Sequence, residues 1–190
     1  MTGSDSRVDS SASLQRILAA ARFAAEKHAQ QKRKGQTQEP YINHLIEVAE
    51  LVTASSDEID TELVMAAFLH DTIEDTGTTL SELEDRFGAD VAGMVAEVTD
   101  DKSLPKEARK RLQVQDAHAK STRAQTLKLA DKISNLRSIL ASPPLGWNLE
   151  RKRQYFEWAK AVVSGFSSPN PILKDEFDRT YNMNSQLTES

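Results

Sequence analysis

Apolar residues recur every three or four positions along most of the chain, which is the spacing of one face of an α-helix. The first such stretch follows Ser13, a residue type that caps helix starts, and its apolar positions are Leu14, Ile17, Leu18, Ala21, Ala24 and Ala25. A second stretch repeats the spacing with Leu45, Ile46, Ala49 and Val52. Runs of alternating β-branched residues are absent from the sequence. The pattern therefore predicts an all-α fold.

A third stretch is apolar nearly all round. It contains the uninterrupted run Leu63 to Leu69, and we predict one helix from about Asp60 to Asp75 that ends before Gly77. A helix with no polar face is usually buried at the centre of a bundle. This helix is therefore expected to form the middle of the fold.

The second half of the chain predicts further helices, separated by capping and breaking residues. Thr79 and Glu82 form a capping box that opens a short helix ending at Gly88. Helices are then expected from Asp90, from Pro105, from about Ala124 to Leu140, and across the aromatic segment with Tyr155, Phe156 and Trp158. The breaker at 142–146 separates the last two.

The chain is expected to form one domain with polar ends. Its 190 residues are enough to bury a sizeable core, and neither an internal repeat nor a low-complexity linker divides them. Residues 1–13 are rich in Ser, Thr and Asp and are predicted to be a disordered leader. Residues 14–181 are predicted to form the domain, and 182–190 to be a frayed tail.

Composition excludes several classes of protein. The net charge of −5 disfavours a general nucleic-acid coat, and the absence of cysteine excludes disulfides, thiolate metal sites and a cysteine nucleophile. The longest apolar run has seven residues, far below the ~18 that span a bilayer. No signal peptide is evident, so we expect a cytoplasmic protein that binds neither nucleic acid nor membrane. Any histidine site must use the four histidines of the chain.

The end of the third apolar stretch is the first candidate for chemistry. His70, Asp71, Glu74 and Asp75 place a histidine and three carboxylates within six residues. In one continuous helix His70 and Glu74 share a face, and Asp71 and Asp75 share the adjoining face. Carboxylates this close repel one another, and a bound cation reverses that penalty. The alternative is a helix that emerges into solvent, where acidic side chains need no partner.

Two other residues are candidate ligands for such a cation. His44 lies in the second predicted helix, and Asp131 lies beside Asn135 on the helix that begins near Ala124. Taken alone, a histidine like His44 is more often a satisfied core residue. Asp131 and Asn135 lie opposite the apolar stripe, which is the pattern of a solvated face. The spacing of these residues leaves both interpretations open.

An ordered set of segments bears on that choice. Tyr41-Ile42-Asn43-His44, then the segment 70–76 (His-Asp-Thr-Ile-Glu-Asp-Thr), then 128–136 (Lys-Leu-Ala-Asp-Lys-Ile-Ser-Asn-Leu) resemble the HD-domain phosphohydrolases. More narrowly, they resemble the hydrolase domain of the RelA/SpoT alarmone enzymes, and the small stand-alone members most. The resemblance extends over about Leu14 to Phe166. It implies a single-domain helical bundle of the HD type.

The resemblance also implies a metal site and a reaction. It matches His44, His70, Asp71 and Asp131 to the metal ligands of the family. The metal is typically one Mn²⁺ per chain, and Fe²⁺ or Zn²⁺ would also suit imidazole and carboxylate ligands. Glu74 and Asp75 match the acidic pair beside the metal, with either as the residue that accepts the proton of water. The implied reaction is hydrolysis of the 3′-pyrophosphate of guanosine tetra- or pentaphosphate.

Further residues match positions beside the nucleotide in the family. These substrate contacts are Arg33, Lys34, Tyr41, Lys106, Asn135, Arg151 and Tyr155. The basic run 109–111 is expected to be a charged helix face. His28 and His118 match no ligand and are expected to form local hydrogen bonds.

Two other functions are compatible with the sequence. One is a related nucleotide phosphatase, notably removal of the 2′-phosphate of NADPH, since a phosphate on either ribose carbon can be presented to one metal. The other is a nucleotide sensor that keeps the fold without catalysis, which the retained acidic and metal-binding residues disfavour. The sequence leaves the preferred metal and the oligomeric state open.

Overall fold

The computed structural model describes residues 5–189, with side chains from residue 10 onward, and within this range the chain is helical. The α-helices are α1 (Asp5–Lys27), α2 (Ile42–Thr53), α3 (Thr61–Leu69), α4 (Thr72–Thr76), α5 (Leu80–Phe87), α6 (Ala89–Val98), α7 (Lys106–Gln115), α8 (Thr122–Ala141), α9 (Leu149–Ser164) and α10 (Pro171–Asn182). Extended pairing in the described part is confined to isolated bridges, Lys32 with Pro40 and Gly35 with Pro144. The predicted all-α fold is confirmed. None of the helices found there is long and apolar enough to cross a bilayer.

Helix α3 lies at the centre, as its uniform apolarity predicts. It packs against α1, α2, α6 and α8, and Met65 and Leu69 are buried almost completely. From α8, Leu129 and Ile133 are also fully buried in this core. Burial of large apolar side chains on every side of α3 fixes its position, and with it the position of the residues that follow its last turn.

The predicted helix from Asp60 to Asp75 is wrong, because α3 ends at Leu69 and the shorter α4 follows. Two side chains form hydrogen bonds to backbone carbonyls near this break. His70 Nδ1 hydrogen-bonds to the carbonyl of Ala67 at 2.8 Å, and Thr72 Oγ1 donates to the carbonyl of Leu69 at 2.6 Å. Side chains that bond to nearby carbonyls compete with the helical hydrogen bonds. The prediction that His70 and Glu74 share one face, and Asp71 and Asp75 the adjoining one, assumed a continuous helix, which the break at 70–71 interrupts.

The start of the domain also differs from the prediction. Helix α1 begins at Asp5, so Ser13 lies inside it and does not cap it, and residues 5–13 of the predicted leader are helical. Extending an existing helix costs much less than nucleating one, so a polar segment can continue a helix that is anchored further along. Residues 1–4 of the predicted leader lie outside the described residues.

The C-terminal part is more ordered than predicted. Helix α10 was not anticipated, although Asn170 caps it by accepting a hydrogen bond from the backbone N–H of Leu173, with Pro171 in its first turn. The tail predicted to fray, 182–190, instead forms a 3₁₀ turn at 183–186, and residue 190 lies outside the described residues. It packs because apolar Leu187 enters the core and the buried ammonium of Lys152 donates to the carbonyl of Thr188 at 2.9 Å.

Candidate metal centre and adjoining cleft

Three parts of the fold bring the four predicted metal ligands together. His44 comes from α2, His70 and Asp71 from the junction of α3 and α4, and Asp131 from α8. His44, His70 and Asp131 each offer a ligand atom, and these atoms lie within 4.8 Å of one another. Asp71 Oδ2 lies 3.1 Å from His70 Nε2 and 3.6 Å from His44 Nε2. Asp131, whose pattern resembled a solvated face, is instead covered by these residues.

Two buried nitrogen atoms at this centre have no hydrogen-bond partner, namely Nε2 of His44 and Nε2 of His70. A carbonyl oxygen only accepts, so the bond to Ala67 places the hydrogen of His70 on Nδ1 in the neutral ring and leaves a lone pair on Nε2. Buried polar atoms without partners are costly. Two imidazole nitrogens facing two carboxylates form a donor set suited to a divalent metal ion. The residues present therefore fit the metal that the family resemblance implies.

The charges at the centre are strongly coupled. Burial lowers the pKa of His70, but the carboxylates of Asp71 and Asp131 outweigh it and raise the pKa to about 9, so a metal ion that binds Nε2 must displace a proton from this ring. Burial has the opposite effect on Asp71, yet the charge of His70 holds the pKa of that carboxyl well below its usual range. Lys132 acts in the same way on Asp131 and lowers its pKa despite burial. Both carboxylates are therefore ionised and available as ligands at neutral pH.

The acidic pair lies on α4, in the wall of an open cavity of about 450 Å³ beside the candidate ligands. Burial raises the pKa of Glu74, and the nearby carboxylates of Asp71 and Asp100 raise it further. Asp75 forms a close ion pair with Lys102. Lys102 also lies 3.7 Å from Glu74 Oε1, which is further than from Asp75, so the two acids differ in how closely this cation holds them.

The basic run on helix α7 contributes to the wall of this cavity. The run 109–111 was expected to be a charged helix face, whereas Arg109 Nη1 lies 3.5 Å from Glu74 Oε1. Lys110 stands over the ring of Trp158 at 5.1 Å and lines the cavity. The sequence pattern could have indicated a shared basic surface, because Lys106, Arg109 and Lys110 lie on one helix face at spacings of three and four. Lys102 carries no such pattern, since it lies in a loop.

A second cavity of about 240 Å³ adjoins the first and contains six of the predicted substrate contacts. We call the two cavities together the cleft. The six residues in its wall are Arg33, Lys34, Tyr41, Lys106, Asn135 and Tyr155. Arg33 Nη1 donates to Asn135 Oδ1 at 3.2 Å, and Asn135 Nδ2 donates to Asp131 Oδ1 at 2.6 Å. Hydrogen bonds therefore connect the basic loop before α2 to the candidate metal centre.

The seventh predicted contact, Arg151, lies outside the walls of the cleft. Its guanidinium stands 4.5 Å from the centre of the Trp147 ring, in a neighbouring cavity that Lys106 and Tyr155 also line. Arg151 therefore borders the cleft through Lys106 and Tyr155, which line both cavities.

The two remaining histidines form local hydrogen bonds, which confirms the prediction for them. Nδ1 of His118 bonds to the carbonyl of Gln115 at 3.0 Å. His28 Nδ1 bonds to Gln31 Oε1 at 2.7 Å, and Gln31 Nε2 in turn donates to Asp75 Oδ2 at 2.8 Å. Through Gln31, His28 therefore also supports the acidic pair.

A buried helix followed directly by adjacent His70 and Asp71, which meet a histidine and an aspartate from two other helices, is the arrangement of an HD domain. The family profile described as HD domain matches residues 20–155, and the chain belongs to this family. Similar proteins include the guanosine-3′,5′-bis(diphosphate) 3′-pyrophosphohydrolase MESH1 of Xenopus tropicalis, which is 49% identical over 165 residues, covering 87% of this chain and 92% of that protein. The MESH1 of Homo sapiens is 51% identical over 159 residues, covering 84% and 89%.

A solved structure extends the similarity to the whole fold. It is described by the words "A metazoan ortholog of SpoT hydrolyzes ppGpp and plays a role in starvation responses". The TM-score is 0.86 at 43% identity, over 90% of this chain and 97% of that one. The single-domain helical bundle predicted from the sequence is confirmed by this likeness.

Proposed function

We propose that this protein hydrolyses the 3′-pyrophosphate of guanosine tetra- or pentaphosphate, releasing pyrophosphate together with GDP or GTP. The observation that carries the proposal is the meeting of His44, His70, Asp71 and Asp131 at the acidic end of a cleft whose other wall is basic. This combination suits an anionic ester that is attacked at phosphorus. The names of relatives that match nearly the full length of the chain support the same reaction.

His44, His70, Asp71 and Asp131 are the residues that we propose to hold one divalent ion. Their mixed nitrogen and oxygen donors suit Mn²⁺, which is our choice, and also suit Fe²⁺ or Zn²⁺. When bound, such an ion lowers the pKa of a coordinated water towards neutrality and offsets negative charge on the phosphoryl group. The protein positions the four ligands from three packed helical segments, so the site is formed by the fold itself.

Glu74 is the residue that we propose to accept the proton of the attacking water. A general base is most effective when its pKa approaches the working pH, and the pKa of Glu74 is raised by burial and by neighbouring carboxylates. Lys102 lies closer to Asp75 than to Glu74, and Asp75 also accepts a hydrogen bond from the amide of Gln31, so we assign Asp75 to orienting the water. The sequence leaves the choice between the two acids open, and this division is our proposal for it.

The basic wall of the cleft is proposed to bind the phosphates. Burial lowers the pKa of Lys106, and the neighbouring cations Arg151 and Lys110 lower it further. Cations that repel one another in this way are stabilised by an anionic ligand. Arg33 and Lys34 extend the same basic wall, while Tyr41 and Asn135 connect it to the candidate metal ligands. Tyr155 offers an aromatic surface for the nucleoside.

A comparison of two substrates tests the proposal. Purified protein is loaded with Mn²⁺, and kcat/KM is measured for guanosine tetraphosphate and for NADPH under the same conditions. We expect the higher value for the guanosine compound. A higher value for NADPH would assign the protein as a 2′-phosphatase. Tight nucleotide binding without product under Mn²⁺, Fe²⁺ and Zn²⁺ would instead identify a nucleotide sensor.

A further inference from the structure

On the side of its ring away from the candidate metal centre, His44 is supported by two side chains to which the sequence assigns no role. His44 Nδ1 lies 2.8 Å from Ser134 Oγ, and Ser134 Oγ lies 2.6 Å from Glu47 Oε2. His44 and Glu47 are three residues apart on α2, whereas Ser134 lies on α8 and is completely buried. Arg137, also on α8, donates to the other oxygen of Glu47 at 3.1 Å.

The direction of each hydrogen bond in this chain is fixed by chemistry. A carboxylate only accepts, and both oxygens of Glu47 have a partner, so Ser134 must donate its single hydroxyl hydrogen to Glu47. The oxygen of Ser134 then has only lone pairs to offer to His44. The hydrogen of the neutral His44 ring must therefore be on Nδ1, which leaves the lone pair on Nε2.

That lone pair faces the candidate metal centre. His44 Nε2 has no hydrogen-bond partner and lies 3.4 Å from Asp131 Oδ1. In His70 the same tautomer is set by a carbonyl of its own helix, at Ala67. For His44 the corresponding acceptor is supplied by the side chain of Ser134, on a different helix.

We infer that Glu47 and Ser134 are positioning residues that fix the metal-binding tautomer of His44. Partners that orient the far nitrogen of a ligand histidine raise its basicity and hold the plane of its ring. Here Glu47 acts only through Ser134. Arg137 extends the support to α10, because its Nη2 donates to Glu176 Oε1 at 2.5 Å. The inference rests on the metal ligands proposed above.

Metal affinity in the absence of nucleotide is the test. The dissociation constant for Mn²⁺ is measured by chelator competition for the parent, Ser134→Ala, Glu47→Gln and the double variant, and the melting temperature of each metal-free protein is recorded. Ser134→Ala should weaken binding by ~10–100-fold, the range for partners of metal ligands. Glu47→Gln should also weaken it, because an amide can donate to Ser134 and let the hydroxyl hydrogen turn towards His44. The double variant should bind as Ser134→Ala alone does.

The matched control is Glu50→Gln, an exposed glutamate on the same helix, which should bind Mn²⁺ as the parent does. Parental affinity in both single variants would overturn the inference and leave the proposed reaction untouched. Additive losses in the double variant would also overturn it, because Glu47 would then not act through Ser134. A parent that binds no Mn²⁺ would overturn the metal proposal as well. Glu47 is partly exposed, so Glu47→Gln remains informative even if Ser134→Ala fails to fold.

Discussion

The hydroxyl of Tyr41 donates a hydrogen bond of 2.6 Å to Asp71 Oδ2, joining residues that are 30 positions apart in the chain. Burial raises the pKa of Tyr41, and the charge of Asp71 raises it further, so the phenol remains a donor across the working pH range. Tyr41 thus orients one carboxylate of the candidate metal centre as well as lining the cleft.

Removing that donor should weaken the metal site. In Tyr41→Phe a buried carboxylate loses a hydrogen bond, so we expect Mn²⁺ affinity to fall by about tenfold. The free energy of unfolding of the metal-free protein should fall by ~1–3 kcal/mol. Chelator competition and urea denaturation measure the two effects. Tyr181→Phe is the control, because that hydroxyl bonds to Glu157 at the surface. Parental Mn²⁺ affinity in Tyr41→Phe would show that the bond has no role in the site.

Metal should stabilise the fold through the four proposed ligands. Mn²⁺ at 100 times its dissociation constant should contribute ~2.7 kcal/mol. For a domain of this size that corresponds to a rise in melting temperature of roughly 5–10 °C. Asp131→Asn should lose this rise, whereas Asp85→Asn, on the exposed face of α5, should keep it. Differential scanning calorimetry with and without Mn²⁺ makes the comparison. An unchanged rise in Asp131→Asn would remove Asp131 from the set of ligands.

The acid limb of the pH profile should report Glu74. As a base this carboxyl works only when ionised, so activity should fall as the pH drops through its pKa, which is raised above that of an ordinary glutamate. Asp100→Asn removes one of the charges that raise this pKa, so the acid limb of kcat should move to lower pH. The control is Asp101→Asn, a change at the exposed residue next to Asp100, which should leave the acid limb of kcat at the same pH. A limb that stays fixed in Asp100→Asn would argue against Glu74 as the base.

The basic wall of the cleft should act on substrate binding more than on the chemical step. A hydrogen bond to a charged group contributes ~1.5–3 kcal/mol, so Lys106→Ala should raise KM by about tenfold or more while kcat changes little. Its KM should also depend less on salt than that of the parent. Arg153→Ala, an exposed change on α9, is the control. Steady-state kinetics at two salt concentrations give the answer, and a loss confined to kcat would contradict this role for Lys106.

The spacing of apolar residues predicted the all-α fold and the central position of α3, because both depend on which faces of a helix are apolar. The break after Leu69 was not predictable in this way. It is accompanied by side-chain bonds from His70 and Thr72 to nearby carbonyls, and such local competition leaves no trace in the apolar period. The packed tail was missed for a related reason, since one apolar residue, Leu187, carries too little pattern to indicate a contact with the core.

The candidate metal centre was likewise predictable from the sequence only in part. Periodicity placed Asp131 opposite the apolar stripe of α8, and that geometry is correct, but it does not say what covers the other side of a helix. In the fold His44 and His70 cover it, from residues far away in the sequence. Only the resemblance to a family brought these residues together in advance. Their roles in metal binding and catalysis stay predictions, which the variants above are designed to test.

Product analysis tests the central claim most directly. The Mn²⁺-loaded protein is incubated with guanosine tetraphosphate, and the products are followed by phosphorus NMR, with Asp71→Ala as the inactive comparison. The proposed reaction predicts GDP and pyrophosphate in equal amounts from the parent, and intact substrate from a variant that keeps its helical circular-dichroism spectrum. Intact substrate with the parent, release of orthophosphate alone, or parental turnover by Asp71→Ala would contradict it.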